Sequence, residues 1–181
     1  MSTQHQRVTP ISLPPESGIA KTYALPSLAD AYTIELPSGA SVNPELLARF
    51  IFSQQAPWVR SLMAVRDAVV GRFGLKTAKQ LTSLGAQSKT GQVGIFKIYS
   101  TSPNEIVLGE DDKHLDFRLS VLCSDTPSPG GKRHLTLSTV VHCHNCLGRL
   151  YILVIAPFHR LIIQSSLRRA ARIGWPLATE P

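Results

Sequence analysis

A chain of 181 residues with 43% hydrophobic and 17% charged side chains holds enough apolar surface for one core, which excludes a disordered or fibrous protein. Its 19 Lys and Arg against 12 Asp and Glu leave a net charge of +7, suited to anionic ligands, acidic partners, membrane surfaces or nucleic acid. The basic residues are scattered except where Arg168, Arg169 and Arg172 follow Arg160, and no basic run interleaves with stacking aromatics, which argues against a nucleic-acid module.

Cys123, Cys143 and Cys146 cannot all pair with one another, and a chain of this length needs no staples, so a reducing, cytoplasmic compartment is expected. The N-terminal residues lack the apolar core of a secretory signal. The most apolar tract, residues 150–158, is about half of the ~18–20 residues a bilayer demands, and Arg149, His159 and Arg160 flank it, so no transmembrane segment is expected.

Residues 1–22, polar and punctuated by proline, read as a disordered tail ahead of a single domain over 23–176, with 177–181 as a second tail. A first strand covers 30–36, where Tyr32, Ile34 and Leu36 alternate with Thr33 and Glu35. Asn43 caps and Pro44 opens a helix to about Gln55. Pro57 opens a second, with Trp58, Leu62, Val65, Val69 and Phe73 at helical spacing and Gly74 as its stop. Residues 76–92 have no strong period and read as a loop.

From Val93 the period changes to two. Residues 94–100 and 104–109 predict a hairpin across Ser102, Pro103 and Asn104. In the next strand, 113–124, Leu115, Phe117, Leu119, Val121 and Cys123 share one face, and His114, Asp116, Arg118 and Ser120 the other. After a turn at 126–131, strand 132–144 repeats the pattern: Leu135, Leu137, Thr139, Val141 and Cys143 against His134, Thr136, Ser138, His142 and His144. One apolar and one polar face predicts an antiparallel sheet wet on one side. Asn145 caps a final helix over 147–173, with an apolar stripe of Leu147, Leu150, Tyr151, Val154, Phe158, Leu161, Ile162 and Leu167, a kink at Pro157, and Gly174 and Pro176 as its end. A strand over 151–155 is the rival assignment. Taken together the order is that of an α+β helix-grip domain of the START and Bet v 1 kind, a curved antiparallel sheet around a long C-terminal helix with a hydrophobic cavity between them.

Several tracts carry a resemblance: Ala29-Asp30-Ala31-Tyr32, Pro57-Trp58 followed by Leu62-Met63-Ala64-Val65-Arg66, and Phe73-Gly74-Leu75-Lys76. Further along stand Gly109-Glu110-Asp111-Asp112-Lys113-His114-Leu115-Asp116-Phe117-Arg118, Gly148-Arg149-Leu150-Tyr151 and Pro157-Phe158-His159-Arg160. The chain resembles, over about residues 29–175, a bacterial family of unknown function, the DUF2867 type, found alone or fused behind NAD-epimerase-like dehydrogenase domains. The resemblance implies no established activity and carries over no catalytic residue. The Gly-rich dinucleotide fingerprint of the fusion partner is missing from this sequence.

Candidate chemistry starts at His114, Asp116 and Arg118. An Asp between a His and an Arg on one strand face can orient and charge the imidazole, as acid–base catalysis requires; a ladder of cross-strand pairs on a solvated face uses the same residues. Glu110, Asp111 and Asp112 lack the ligand spacing of a calcium loop and read as a solvated turn. In His142-Cys143-His144-Asn145-Cys146 the side chains alternate, and no second ligand pair stands at zinc-finger spacing, so no metal is expected. Cys146 near a helix N-terminus with His144 close by is a candidate thiolate, whereas Cys123 and Cys143 read as buried apolar residues. His159 and Tyr151 offer polar contacts from the last helix, and Arg168, Arg169 and Arg172 with Trp175 can touch anionic lipid.

The leading expectation is a small hydrophobic ligand bound by Phe96, His114, Asp116, Phe117, Arg118, Leu137, Tyr151, Phe158 and His159, with no cofactor. The alternatives are an enzyme using the same cavity with His and Asp as acid–base groups, and an accessory module for an oxidoreductase or a membrane surface.

Overall fold

The computed structural model describes residues 6–54, 56–59, 61, 62, 64, 91–124 and 133–178. In chain order the elements are β1 (Thr9–Ile11), β2 (Leu28–Leu36), α1 (Pro44–Ser53), β3 (Gln92–Val93), β4 (Phe96–Thr101), β5 (Glu105–Asp111), β6 (Leu115–Cys123), β7 (Arg133–Cys143) and α2 (Cys146–Ile173). The strands form one seven-stranded antiparallel sheet in the order β1-β2-β7-β6-β5-β4-β3, so the architecture is α+β with an open sheet and a long C-terminal helix.

Period-two patterning sets the register. Tyr32 opposes Leu137, Leu137 opposes Val121, and Val121 opposes Ile106, which lines four strands with apolar side chains on one face. Both helices cover that face. In α1 the Asn43 side chain accepts the Leu46 N–H at 3.0 Å and Pro44 occupies the first turn, so Leu47, Ala48 and Ile51 are brought down onto the sheet and buried. The Asn145 side chain accepts the Gly148 N–H at 3.0 Å at the start of α2, which then runs unbroken through Pro157, as a helix rather than the rival strand. Gly174, at φ 104°, ends it.

One main core results, built from Ile34, Leu47, Ile51, Val93, Ile106, Leu108, Leu135, Leu137, Ile163 and Leu167, with Trp175 closing its edge. A smaller cluster of Leu28, Leu115, Val141 and Cys143 packs against Phe117, Tyr151, Ile152 and Ala156 under the first half of α2.

Several expectations are corrected here. The N-terminal residues described are packed rather than frayed. β1 adds to the sheet edge, Ile19 is buried against Val107 and Val140, and Leu13 and Tyr23 pack beside it. This segment covers the middle of the face expected to be wet, so Ser120 and Ser138 are fully buried there. It is pinned by Glu105, whose carboxylate accepts from Ser17 Oγ at 2.6 Å, from the Gly18 N–H at 2.9 Å and from Ser120 Oγ. Polar composition could not reveal this, because the anchor is a buried carboxylate far along the chain. At the other end Leu177 bridges to Ala40, so the ordered body extends past 176. Glu110 and Asp111 belong to β5 rather than to a solvated turn, and Glu110 is buried in an ion pair with Lys97 at 3.0 Å.

The face of α2 is also corrected. Leu150, Val154, Phe158 and Leu161 point outward, while Gly148, Ile163, Ser166, Leu167 and Ala170 are buried. Nearly every position from 147 to 163 is apolar, so periodicity cannot choose the docking face. Small residues choose it by allowing close approach: a Cβ on Gly148 would overlap the His114 carbonyl. By length and composition the continuous helix is long and apolar enough to cross a bilayer, and little of its apolar tract is buried. The tract 150–158 underestimated it because the helix passes through Pro157 and the His159-Arg160 step. Of the second expected helix, residues 57–59, 61, 62 and 64 are helical; Val65, Val69, Phe73 and Gly74 lie outside the described residues, as do most of the 76–92 connection and the turn at 126–131.

Candidate functional site

Asp30 is the residue that breaks the pattern of its strand. It shares its face with Tyr32, Ile34 and Leu36, so β2 projects a carboxylate into the layer between sheet and α2. Its cross-strand neighbour is Thr139, on the equally apolar face of β7. From the helix, His159 Nε2 stands 3.5 Å from Asp30 Oδ1, and Arg160 Nε stands 3.8 Å from Oδ2. Both Asp30 oxygens, Thr139 Oγ1 and His159 Nε2 are buried and have no hydrogen-bond partner among the described residues. Buried polar atoms are almost always satisfied, and leaving one unpaired costs about 1–3 kcal/mol. These four atoms form a set of buried polar groups whose only partners among the described residues are the long ionic contacts of His159 and Arg160 to Asp30. Apolar surface flanks it on both sides, with the Leu28, Val141, Phe117 and Tyr151 cluster toward one end of the helix and the main core toward the other.

A second polar group lies on the opposite face. Asp111, Asp116 and His142 stand in one row across β5, β6 and β7. His144 Nε2 lies 3.0 Å from Asp116 Oδ2, and the Asp112 N–H donates to Oδ1 at 3.1 Å. Arg118 donates to Asp111 Oδ1 at 2.7 Å and lies 3.7 Å over the Tyr99 ring, whose hydroxyl donates to Asp111 Oδ2 at 2.7 Å. Burial works to raise the Asp111 carboxyl, but these hydrogen bonds and the Arg118 charge outweigh it and hold it below the ordinary range. Burial, then the bond to Asp111, push the Tyr99 phenol up. Tyr23 from the N-terminal segment stacks on His142 at 5.4 Å, and His142 meets the His144 ring edge-on at 5.3 Å. Burial also raises the Tyr23 phenol; Arg118 opposes this, and Asp116 and Asp111 add to it.

The residues singled out in the sequence therefore fall in different places. Phe96, Phe117, Leu137, Tyr151 and His159 lie on the helix side of the sheet, Phe96 meeting Phe117 edge-on at 5.6 Å, while Leu137 is sealed in the main core. Phe158 is 42% exposed and turned away from the sheet, because it shares the outward line of α2. Asp116 and Arg118 are on the opposite face. His114 precedes β6 instead of extending it and sits 3.0 Å from the Asn145 side-chain amide, so the partner of Asp116 is His144. His144 Nε2 faces Asp116, and Cys146 is exposed at the first position of α2. Trp175 is buried and donates its indole N–H to Gln6 at 2.9 Å, which removes it from any lipid contact. Among the described residues no group of three or more His, Cys, Asp or Glu side chains is placed to hold a metal ion.

Asp30 and Thr139 went unrecognised as site residues, although a signal was present. A charged or hydroxyl side chain in register with an apolar row is expensive to bury and calls for a reason.

Neither the curated proteins nor the solved structures include a match to this chain. A family described as Protein of unknown function (DUF2867) matches residues 23–166. That span runs from Tyr23, against the outer polar row, through every strand from β2 to β7 and into the second half of α2, so it contains both polar groups. The chain belongs to the DUF2867 family.

Proposed function

We propose that this domain binds a small, mainly hydrophobic molecule between the sheet and α2, in a fold of the helix-grip type. The observation that carries the reading is the convergence of Asp30, Thr139 and His159 inside an otherwise apolar layer, with buried polar atoms that make no hydrogen bond among the described residues and only long ionic contacts to one another. Ligand sites combine an apolar lining with a few placed polar groups. A carboxylate and a threonine hydroxyl suit a ligand head that donates hydrogen bonds, such as a hydroxyl or an amine. Its apolar body would lie along Phe117, Tyr151 and Ile152 toward Leu28 and Val141. Three free cysteines, one of them exposed, suit a reducing, cytoplasmic setting.

The test is native mass spectrometry of the chain purified from the cells that make it, compared with the denatured mass. The expected result is an excess mass that vanishes on denaturation and is diminished in Asp30→Asn and His159→Gln. A clean unliganded mass, repeated after incubation with long-chain alcohols and amines, would overturn the proposal.

Acid–base chemistry on the opposite face is the second reading, and the contact between His144 Nε2 and Asp116 Oδ2 favours it. His144→Gln is its control: any hydrolase or isomerase activity found for the chain must disappear in that variant.

A further inference from the structure

The outward side of α2 carries a line of exposed apolar side chains. Leu150, Leu153, Val154, Phe158 and Leu161 are exposed, Leu153 by 74%, Leu150 by 58% and Leu161 by 57%. Their spacing places them on one side of a helix with 3.6 residues per turn, opposite the buried Gly148, Ile163, Ser166 and Ala170. The same outward line continues into Arg168 and Arg172, both exposed, while Arg149 and Arg160 flank it. The helix contains five arginines and no acidic residue. Among the described residues no ion pair joins Arg149, Arg168 or Arg172 to a carboxylate, and Arg168 donates to the neutral Gln164 at 3.0 Å.

We infer that α2 docks in the plane of an anionic lipid bilayer surface. Such a surface matches both halves of the stripe: the acyl boundary takes the leucines and Phe158, and lipid phosphates take the arginines. A second copy of the chain matches it less fully: an antiparallel pair would cover the leucines but offer Arg168 and Arg172 no carboxylate from the facing helix, which contains none. Crossing the bilayer conflicts with the packing. Asn145 and Gly148 tie the start of the helix to the His114 turn, and Ile163, Leu167 and Ala170 tie its second half to the core, so the helix lies along the sheet. Ligand exchange between sheet and helix would then take place beside the membrane, although the docking itself does not depend on a ligand.

The experiment is sedimentation of the purified full chain with vesicles of phosphatidylcholine alone and of phosphatidylcholine with phosphatidylserine, together with its molar mass in solution by light scattering. A salt-sensitive association with the phosphatidylserine vesicles is expected, at least about tenfold weaker in Leu153→Glu. The double variant Arg168→Gln, Arg172→Gln should lose the preference for anionic lipid. All these side chains are exposed, so thermal midpoints should stay near that of the parent chain and show that the variants fold. Three results would each overturn the inference: no vesicle binding, a dimer dispersed by Leu153→Glu without vesicle binding, or protein that resists alkaline carbonate extraction as a spanning helix does.

Discussion

Glu105→Gln probes the joint that attaches the N-terminal segment to the sheet. The carboxylate is buried and receives Ser17 Oγ, Ser120 Oγ and the Gly18 N–H, with no cation among the partners seen. Glutamine keeps one acceptor oxygen, but its amide nitrogen must face either a hydroxyl or the Gly18 N–H, now 2.9 Å from Oε2. A hydrogen bond to a charged group contributes about 1.5–3 kcal/mol and a neutral one about 0.5–1.5, so one lost and two weakened bonds total roughly 3–4 kcal/mol. Relief from burying a charge offsets part of this, leaving about 2–3 kcal/mol. For a chain of this size that lowers the melting midpoint by roughly 5–10 °C. Scanning calorimetry reads the global effect. Hydrogen exchange at Gly18 and Ile19 reads the local one, since their protection should fall furthest. The exposed Glu16→Gln is the control. If Glu105→Gln unfolds within about 0.5 kcal/mol of that control, the carboxylate does not anchor the segment and the reasoning fails.

Asp111→Asn tests the outer row through pH. Its folded carboxyl is held below the ordinary value, so its contribution is complete above the unfolded value near 3.8 and is lost as pH falls through the lower folded value. Urea midpoints of parent and variant should therefore differ at neutral pH and converge as pH falls through the lowered folded value; because Asp111 is 53% exposed, screening keeps the gap small. Gly148→Ala drives a Cβ into the His114 carbonyl and should destabilise by about 1–3 kcal/mol, as overpacking does, with circular dichroism showing whether helix content falls too. Leu167→Ala, at a fully buried position, should cost about 2–5 kcal/mol in a denaturant titration, against about 0.5 or less for Leu153→Ala on the same helix. Equal losses for the two leucines would contradict the assigned docking face.

Local patterning made much of the fold legible. Alternation along 30–36 and in the strands around Leu119 and Leu137 specified face and register, because a one-residue slip would turn Ile34 or Leu135 into water. Asn43, Asn145, Pro44 and Gly174 marked helix ends through backbone groups that must be capped whatever the tertiary context. His142 in β7 and His144, one residue past its end, keep the side-by-side relation that alternation requires, and their rings meet at 5.3 Å.

Long-range pairing decided the rest. A polar N-terminal stretch becomes structure through distant partners, among them Glu105, 87 residues beyond Gly18, which offers it a buried acceptor, and β2, Val107 and Val140, on which it packs. His114 and Asp116 have the spacing of a pair on one strand, yet β6 begins at Leu115 and the carboxylate turns to His144, just past the end of the neighbouring strand. Nor could composition rank the two sides of α2, which is apolar nearly all round in its first half; the side that docks is the one where Gly148, Ser166 and Ala170 let backbone and sheet approach. Asp30, Thr139 and His159 meet for the same reason. Asp30 and Thr139 interrupt the apolar rows of their strands, but only the stacking of helix on sheet brings His159 to them.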